Sequence, residues 1–485
     1  MNRHRLYIDG EWKESASGRW KEVVNPATGE TAAVTAYGDE QDAALAADAA
    51  HRAFEEWAFR PAPERSDVMM RIYSGMLERS EAIARAITEE MGKPIREARA
   101  EARLAAEYIR WNAEEARRVY GYTIPSHHAG KRLHTLRQPV GPVAAITPWN
   151  FPISMVTRKV GPALAAGCTV VLKPANQSPG AAALFVKIAE EAGLPPGVIN
   201  LVTGDSRSVA QRWLTDPRIR KITFTGSTEV GKHLLRLAAD QVKRVSMELG
   251  GHAPFIVFED ADLDMAVEGA VASKFRNNGQ TCICANRIYV QRGIREAFVR
   301  KLKERVEALR VGNGMDEDVD LGPLVDASAV RKVEEQIRDA VSKGAVLVTG
   351  GRRMVDSPYD KGCFYAPTVL DGADDSMLIS VEETFGPVAP VYSFETEDEV
   401  IRRANNTVYG LAAYVYTNDL SRAARVTERL EYGMIGVNDC VMTTVQGPFG
   451  GMKESGFGRE GGPDSLHDFL ETKFISTVIR PDPSQ

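Results

Sequence analysis

The run Asn277-Asn278-Gly279-Gln280-Thr281-Cys282-Ile283-Cys284 offers a cysteine among small, polar, uncharged neighbours, where a reactive thiol could meet a substrate. Glu248, in Met247-Glu248-Leu249-Gly250-Gly251, and Asn150, in Pro148-Trp149-Asn150-Phe151-Pro152, stand upstream of it. Cys282 could act as a nucleophile and Glu248 as a base, and the Asn150 amide could donate to the oxyanion formed when a thiolate attacks a carbonyl carbon. Glu248 ends a strand-like run and precedes two glycines, a setting in which partial desolvation would bring a carboxylate closer to neutral titration. Taken singly, Cys282 also reads as a small buried hydrophobe and Glu248 as surface charge.

The elements that must position these residues are α/β in pattern. Between Pro139 and Phe258 short β-rich runs alternate with helical stretches: 143–146, 169–172, 198–202, 221–224 and 244–247. That alternation predicts βαβ units and a mostly parallel sheet, with ligands at the carboxyl ends of the strands. Trp149-Asn150, Lys173, Gly226-Ser227 and Glu248 each follow directly on one of the runs. Lys173 could bond ribose hydroxyls or a nucleotide phosphate, and the neutral Asn176 nearby permits NADP as well as NAD. Phe224-Thr225-Gly226-Ser227 ends a strand and opens a helix whose free amides could bond an anion, although Ser227 is equally a good N-cap.

A second α/β stretch from about Gly251 to Cys440 carries the cysteine and predicts helices over 263–277, 294–309 and 328–343. The reactive centre should therefore lie in a cleft between two α/β units. Asp39 to about Tyr120 is rich in Ala, Glu and Arg at helical spacing, Gly121 to Arg137 reads as an exposed arm or hairpin, and Phe474 to Ile479 as a strand that could pair with a neighbouring subunit.

Composition narrows the function classes. The 485 residues predict roughly two to four domains, and 44% hydrophobic with 26% charged residues is ordinary for a soluble globular protein. A net charge of −6 without a long basic block gives nucleic acid no electrostatic footprint. Met1 to Gly10 lacks an apolar signal core and no stretch is long enough to span a bilayer, so a cytoplasmic enzyme without membrane contact is expected. Five cysteines, odd in number and sparse, point to a reducing compartment, and Cys282 with Cys284 lacks the spacing and histidines of a metal site. Gly456-Phe457-Gly458-Arg459-Glu460-Gly461 fits the spacing of a dinucleotide fingerprint but lacks a preceding strand, so it reads as a loop. Gly226 to His233 nearly spells a P-loop, with His233 where a Ser or Thr should reach magnesium, which leaves an NTPase as a remote second class.

Taken together, Pro148-Trp149-Asn150-Phe151-Pro152, Lys173-Pro174, Phe224-Thr225-Gly226-Ser227, Met247-Glu248-Leu249-Gly250-Gly251, Gly279-Gln280-Thr281-Cys282 and Glu382-Glu383-Thr384-Phe385-Gly386-Pro387 resemble the aldehyde dehydrogenase superfamily, in family order across nearly the whole chain. The resemblance implies Cys282 as nucleophile, Glu248 as the base for deacylation and Asn150 as oxyanion donor. It carries cofactor contacts to Trp149, Lys173, Gly226, Ser227, Leu249, Glu383 and Phe385. It also implies a Rossmann-type cofactor domain (1–120 and 139–250), an α/β catalytic domain (251–440), a substrate loop returning to the cofactor domain (441–458) and a β oligomerisation arm (121–138 and 459–485) that makes a dimer or tetramer.

The phrases Met155-Val156-Thr157-Arg158-Lys159 and Lys274 to Arg287 resemble the succinate-semialdehyde dehydrogenase branch, in which two arginines, matched by Arg158 and Arg276, grip the far carboxylate of the substrate. Where that branch has a serine before Pro448-Phe449-Gly450-Gly451, Thr443-Thr444 keeps a hydroxyl and adds bulk, leaving room for glutarate semialdehyde or a sulfonated aldehyde. Cys284 matches a second cysteine that in some members forms a disulfide with the nucleophile, which implies redox control.

Overall fold

The structure, a computed structural model, describes residues 2–480. Its central element is an eight-stranded sheet in the order Gly456–Phe457, Arg244–Glu248, Lys221–Thr225, Val143–Ile146, Val170–Lys173, Ile199–Leu201, Leu6–Ile8, Glu11–Lys13. The middle five strands run parallel and the outer ones antiparallel. Helices cover both faces, so the central strands are apolar without alternation: Val143, Ala144, Val170, Val171, Leu172 and Ile222 are all buried. These five strands match the β-rich runs read from the sequence to within a residue or two.

Sequence order reverses at Val143–Ile146: the chain steps to 170–173 and 199–201 on one side, then returns to 221–225 and 244–248 on the other. Such a switch point leaves a crevice beyond the carboxyl ends of two neighbouring strands. Pro148-Trp149-Asn150 and Gly226-Ser227 rim it. Four helices, Glu40–Phe59, Ala62–Glu78, Ser80–Met91 and Ile95–Glu115, fill the alanine-rich segment. The last packs closely on Ser154–Ala166, because Ala98, Ala102, Ala105 and Ala106 let the two backbones approach.

Leu249–His252 carries the chain directly into a seven-stranded sheet, ordered Val346–Thr349, Thr368–Asp371, Val388–Phe394, Ala285–Gln291, Ala253–Val257, Ala412–Tyr416, Met434–Val437, and parallel except at its first pair. Its helices Leu263–Phe275, Arg295–Glu307 and Ala327–Ser342 fall where their patterns place them, the last two starting one residue inside or outside the expected bound. Asp262 and Asp326 cap the first and third by accepting from first-turn amides.

A separate three-stranded sheet joins Thr123–Ile124, Lys131–Pro139 and Leu470–Val478. It is shorter than the arm expected over 459–485: Leu466 and Phe469 are buried in the core, so the strand begins only at Leu470, and 481–485 lie outside the described residues. Gly456–Phe457, expected as loop, adds a two-residue edge strand beside Met247–Glu248. The N-terminal strands Asn2–His4, Leu6–Ile8, Glu11–Lys13, Trp20–Val24 and Thr31–Ala36 had no counterpart in the reading of the sequence.

Candidate active site

Cys282 is delivered by a deliberate break in a helix. After Phe275 the backbone turns through three left-handed residues, Asn277 (φ 49°), Asn278 (φ 57°) and Gly279 (φ 74°), before the strand at Ala285. Asparagine tolerates that conformation better than most residues, and its side chains are used: Asn278 Nδ2 donates to the Gly322 carbonyl at 2.9 Å. Two glycines are demanded by close approach. A Cβ on Gly279 would lie 2.2 Å from the Gly386 carbonyl oxygen, and one on Gly251 2.1 Å from that of Cys282. The Cys282 loop is thus seated against the Leu249–His252 crossover between the two sheets.

Cys282, Asn150, Leu249, Glu383 and Phe385 line one cavity of about 500 Å³ between the sheets. Asn150 is buried and donates one Nδ2 hydrogen to the Gln280 carbonyl at 3.0 Å, leaving the second for a ligand. Burial pushes the Cys282 thiol up to about 12, with Glu383 adding to the shift and Arg158 opposing it. The resting sulfur is therefore a protonated thiol, and nucleophilic attack requires its proton to be taken.

Glu248, at the end of its strand, is buried with both carboxylate oxygens unpartnered. Burial, then the negative charge of Glu460, raises its pKa well above the ordinary carboxylate value and so favours the protonated form. Behind it lies an ion cluster that sequence reading missed. Glu460 pairs with Lys159 Nζ through one oxygen, and its other oxygen lies 2.9 Å from Arg158 Nε, while Lys159 Nζ also donates to Thr225 Oγ1 at 2.7 Å. Burial alone would raise Glu460, but Lys159 and Arg158 outweigh it and hold it ionised. A signal existed: the helix Ser154–Ala166 is otherwise apolar, and two adjacent cations buried in it require an acidic partner.

The two arginines expected to grip an acidic substrate, and Thr443 expected beside it, are not equivalent. Arg158 is buried, stacked 3.7 Å over the Phe449 ring and ion-paired with Glu460, with neither Nε nor Nη2 hydrogen-bonded to a described residue. Arg276 is half-buried, 5.3 Å from the Phe151 ring centroid, and makes no ion pair with any described residue. Thr443 is half-buried in the loop before Phe449, where Tyr108 donates to the neighbouring Thr444 carbonyl at 3.5 Å. None of the three lines the cavity that holds Cys282. Cys284 points away from solvent: its thiol donates to the Lys274 carbonyl at 3.2 Å, and both cysteines are free.

A second cavity of about 780 Å³ shares Trp149, Gly226 and Ser227 with the first, so the two form one cleft along the carboxyl ends of the parallel strands. Lys173 is buried there with only the Pro174 carbonyl, at 3.2 Å, as acceptor; burial brings it down to about 8, with Asp205 opposing. Asn176 accepts from the Gly204 amide at 3.2 Å and leaves its own amide hydrogens free. Ser227 caps the helix Thr228–Ala239, accepting from the Val230 amide at 3.3 Å. At the other end Glu383 accepts from the Gly251 amide at 3.0 Å and burial raises it to about 7. Phe385 holds a strained φ of 53° and meets Trp149 edge-on at 5.6 Å. A cleft at a switch point, with a buried lysine short of acceptors and a helix N-terminus opening onto it, fits a nicotinamide dinucleotide.

The P-loop alternative is overturned by the same segment. Only Gly226 and Ser227 separate strand from helix, Gly231 lies inside the helix, and Lys232 pairs with Glu454 at 2.6 Å rather than facing a phosphate cradle.

Comparison with known proteins agrees with this geometry. The glutarate-semialdehyde dehydrogenase of Pseudomonas aeruginosa is 50% identical over 98% of this chain and 97% of its own length. The 3-sulfolactaldehyde dehydrogenase of Pseudomonas putida is 51% identical over 98% and 96%, and the NADP(+) succinate-semialdehyde dehydrogenase of Escherichia coli 49% over 98% and 97%. The crystal structure of a succinate-semialdehyde dehydrogenase from Burkholderia pseudomallei superposes with a TM-score of 0.97 at 46% identity, covering 99% of this chain and 98% of that one. Residues 12–475 match the family model described as the aldehyde dehydrogenase family, and on these grounds the chain belongs to that family.

Proposed function

We propose that this protein oxidises a short aldehyde bearing a terminal acid group to the carboxylic acid, with succinate semialdehyde as the leading substrate. The observation that carries the reading is the convergence of the Cys282 thiol and the Asn150 amide in a cavity continuous with the nucleotide-shaped cleft. Cys282 adds to the aldehyde carbon once its proton is removed, and the Asn150 amide with the Cys282 backbone amide holds the oxyanion. NAD or NADP, when bound, accepts the hydride that leaves this carbon. Glu248, once ionised, takes a proton from the water that cleaves the resulting thioester, and the thiol is regenerated. Glu460, Lys159 and Arg158 set the charge around Glu248 and so its readiness to accept that proton.

The relatives named above are dehydrogenases of glutarate semialdehyde, 3-sulfolactaldehyde and succinate semialdehyde, all acid-bearing, which favours Arg276 and Arg158 as the acid grip and Thr443 as a hydroxyl near it. Lys173, Asn176, Gly226, Ser227 and Trp149 would hold the adenosine and phosphates, and Leu249, Glu383 and Phe385 the nicotinamide riboside. The neutral Asn176 permits NADP as well as NAD. The eight-stranded sheet, the seven-stranded sheet and the sheet of Thr123–Ile124, Lys131–Pro139 and Leu470–Val478 support a division into cofactor, catalytic and arm units. The edge strand Leu470–Val478 exposes Phe474 and Val478, which supports assembly into a dimer or tetramer. Free thiols support a cytoplasmic setting. The test is reduced-nicotinamide formation across succinate semialdehyde, glutarate semialdehyde, a sulfonated aldehyde and butanal with each cofactor. Equal efficiency on butanal and succinate semialdehyde would sink the acid grip.

A further inference from the structure

Lys93 is among the largest fully buried side chains of the protein, yet it belongs to none of the groups considered so far. It lies between the helices Ser80–Met91 and Ile95–Glu115, and its ammonium makes two hydrogen bonds and one cation–π contact. One goes to Glu101, one to the Asn150 carbonyl at 2.7 Å, and the group sits 3.8 Å from the Phe151 ring centroid. Glu101 turns its other oxygen to the Ile153 and Ser154 amides, at 3.1 and 3.2 Å, at the start of the helix that bears Arg158 and Lys159.

The same carbonyl of Asn150 takes a second bond from across the cleft, from Asn277 Nδ2 at 3.1 Å, and Asn277 Nδ2 also donates to the Gln280 carbonyl at 3.2 Å. Gln280 is the residue to whose carbonyl the Asn150 side chain donates. Glu97, one turn before Glu101, accepts from the Asn277 amide at 2.9 Å. The backbone of Asn150 is thus pinned from one side by Lys93 and from the other by the loop that carries Cys282, and one helix, through Glu97 and Glu101, anchors both. A buried ion pair costs about several kcal/mol of desolvation per ion, so hydrophobic residues would serve stability as well or better. What this pair does that they could not is donate to a backbone carbonyl at a defined point.

We propose that Lys93, held by Glu101, is a positioning residue that fixes the Asn150 amide at the distance from Cys282 that an oxyanion requires, with Asn277 as its counterpart on the cysteine loop. The inference rests on the reading of Asn150 as oxyanion donor. The polypeptide reaches the site with three contacts on two atoms of Asn150, so that its side chain is aimed by groups that never touch the substrate.

The test is a double-mutant cycle on the full-length enzyme. Lys93→Met/Glu101→Gln removes both buried charges together and keeps an acceptor for the Ile153 and Ser154 amides; it is made in the wild type and in Asn150→Ala, and kcat and cofactor Kd are measured for each. A displacement of about 1 Å at a reacting group can cost about 100-fold, so a loss of roughly 10- to 100-fold in kcat is expected in the wild-type background, with cofactor Kd unchanged. In the Asn150→Ala background the same substitutions should cost less than about 2-fold, because residues acting through one group are not additive. Asn277→Gly, which keeps the left-handed backbone and removes the Nδ2 bonds to the Asn150 and Gln280 carbonyls, should show the same dependence on Asn150. Equal losses in both backgrounds, or no loss in the wild type, overturn the inference while leaving the Asn150 assignment standing. Near-normal turnover of Asn150→Ala alone overturns that assignment and this inference with it.

Discussion

The two arginines expected to grip an acidic substrate differ in what surrounds them, and that difference predicts how their loss will read out. Arg276 makes no ion pair with any described residue, although its charge favours the ionised form of buried Glu97, so Arg276→Gln chiefly removes a charge that an acidic ligand would use. A hydrogen bond to a charged group contributes about 1.5–3 kcal/mol, which at about 1.4 kcal/mol per decade is a loss of roughly 10- to 100-fold in kcat/KM for succinate semialdehyde. Butanal, with nothing for the guanidinium to hold, should lose less than about 3-fold on the same reasoning. Arg158→Gln should behave otherwise. It breaks a buried pair with Glu460, for which about 3–5 kcal/mol of stability is the usual cost, so it lowers the melting temperature. It also removes a cation that opposes the raised pKa of Glu248, so butanal turnover falls as well. The assay is absorbance of the reduced cofactor with both aldehydes, alongside thermal unfolding. If Arg276→Gln depresses succinate semialdehyde and butanal equally, Arg276 is structural and the reasoning fails.

Three further outcomes follow from the site. Burial favours the protonated form of Glu248, so the rate of thioester hydrolysis should rise with pH as its carboxyl ionises, and Glu248→Gln should flatten that limb in single-turnover measurements. Glu383 titrates at about 7, and its ionised form is the stronger acceptor for a ribose hydroxyl; cofactor Kd should therefore tighten as pH rises through 7 and lose this dependence in Glu383→Gln, read by fluorescence titration. Cys284 is buried against the Lys274 carbonyl, so a disulfide with Cys282 requires the loop to move; if peroxide inactivates wild type and Cys284→Ala identically, with equal recovery in dithiothreitol, redox control through Cys284 is excluded.

What could be read in the sequence was what local pattern encodes. The parallel strands are short, largely buried runs rich in apolar residues because both faces are covered, and residues that follow such runs must collect at one edge of the sheet, which is why the sequence alone groups Asn150, Lys173, Ser227 and Glu248. Glu460 and Lys93 could not. Their partners lie 301 and 57 positions away, a glutamate in a glycine-rich segment looks like any loop charge, and a lysine between two helices looks solvated. The N-terminal strands were missed for a related reason: Leu6–Ile8 and Glu11–Lys13 are three residues each and are held by pairing with Ile199–Leu201 and with each other, not by their own pattern. Arg158 was named for a substrate role without its partner, because helical spacing gives no hint that Glu460 returns to it from the far end of the chain.

The central claim is that Cys282 becomes acylated and Glu248 releases the acyl group. Glu248→Gln, mixed with succinate semialdehyde and NADP and quenched within one turnover, should carry a succinyl thioester on Cys282, located by fragmenting the digested peptide that holds both Cys282 and Cys284 in the mass spectrometer, with one equivalent of reduced cofactor formed in the burst. A burst without acylation of that peptide, or acylation found at Cys284 instead, would contradict the account.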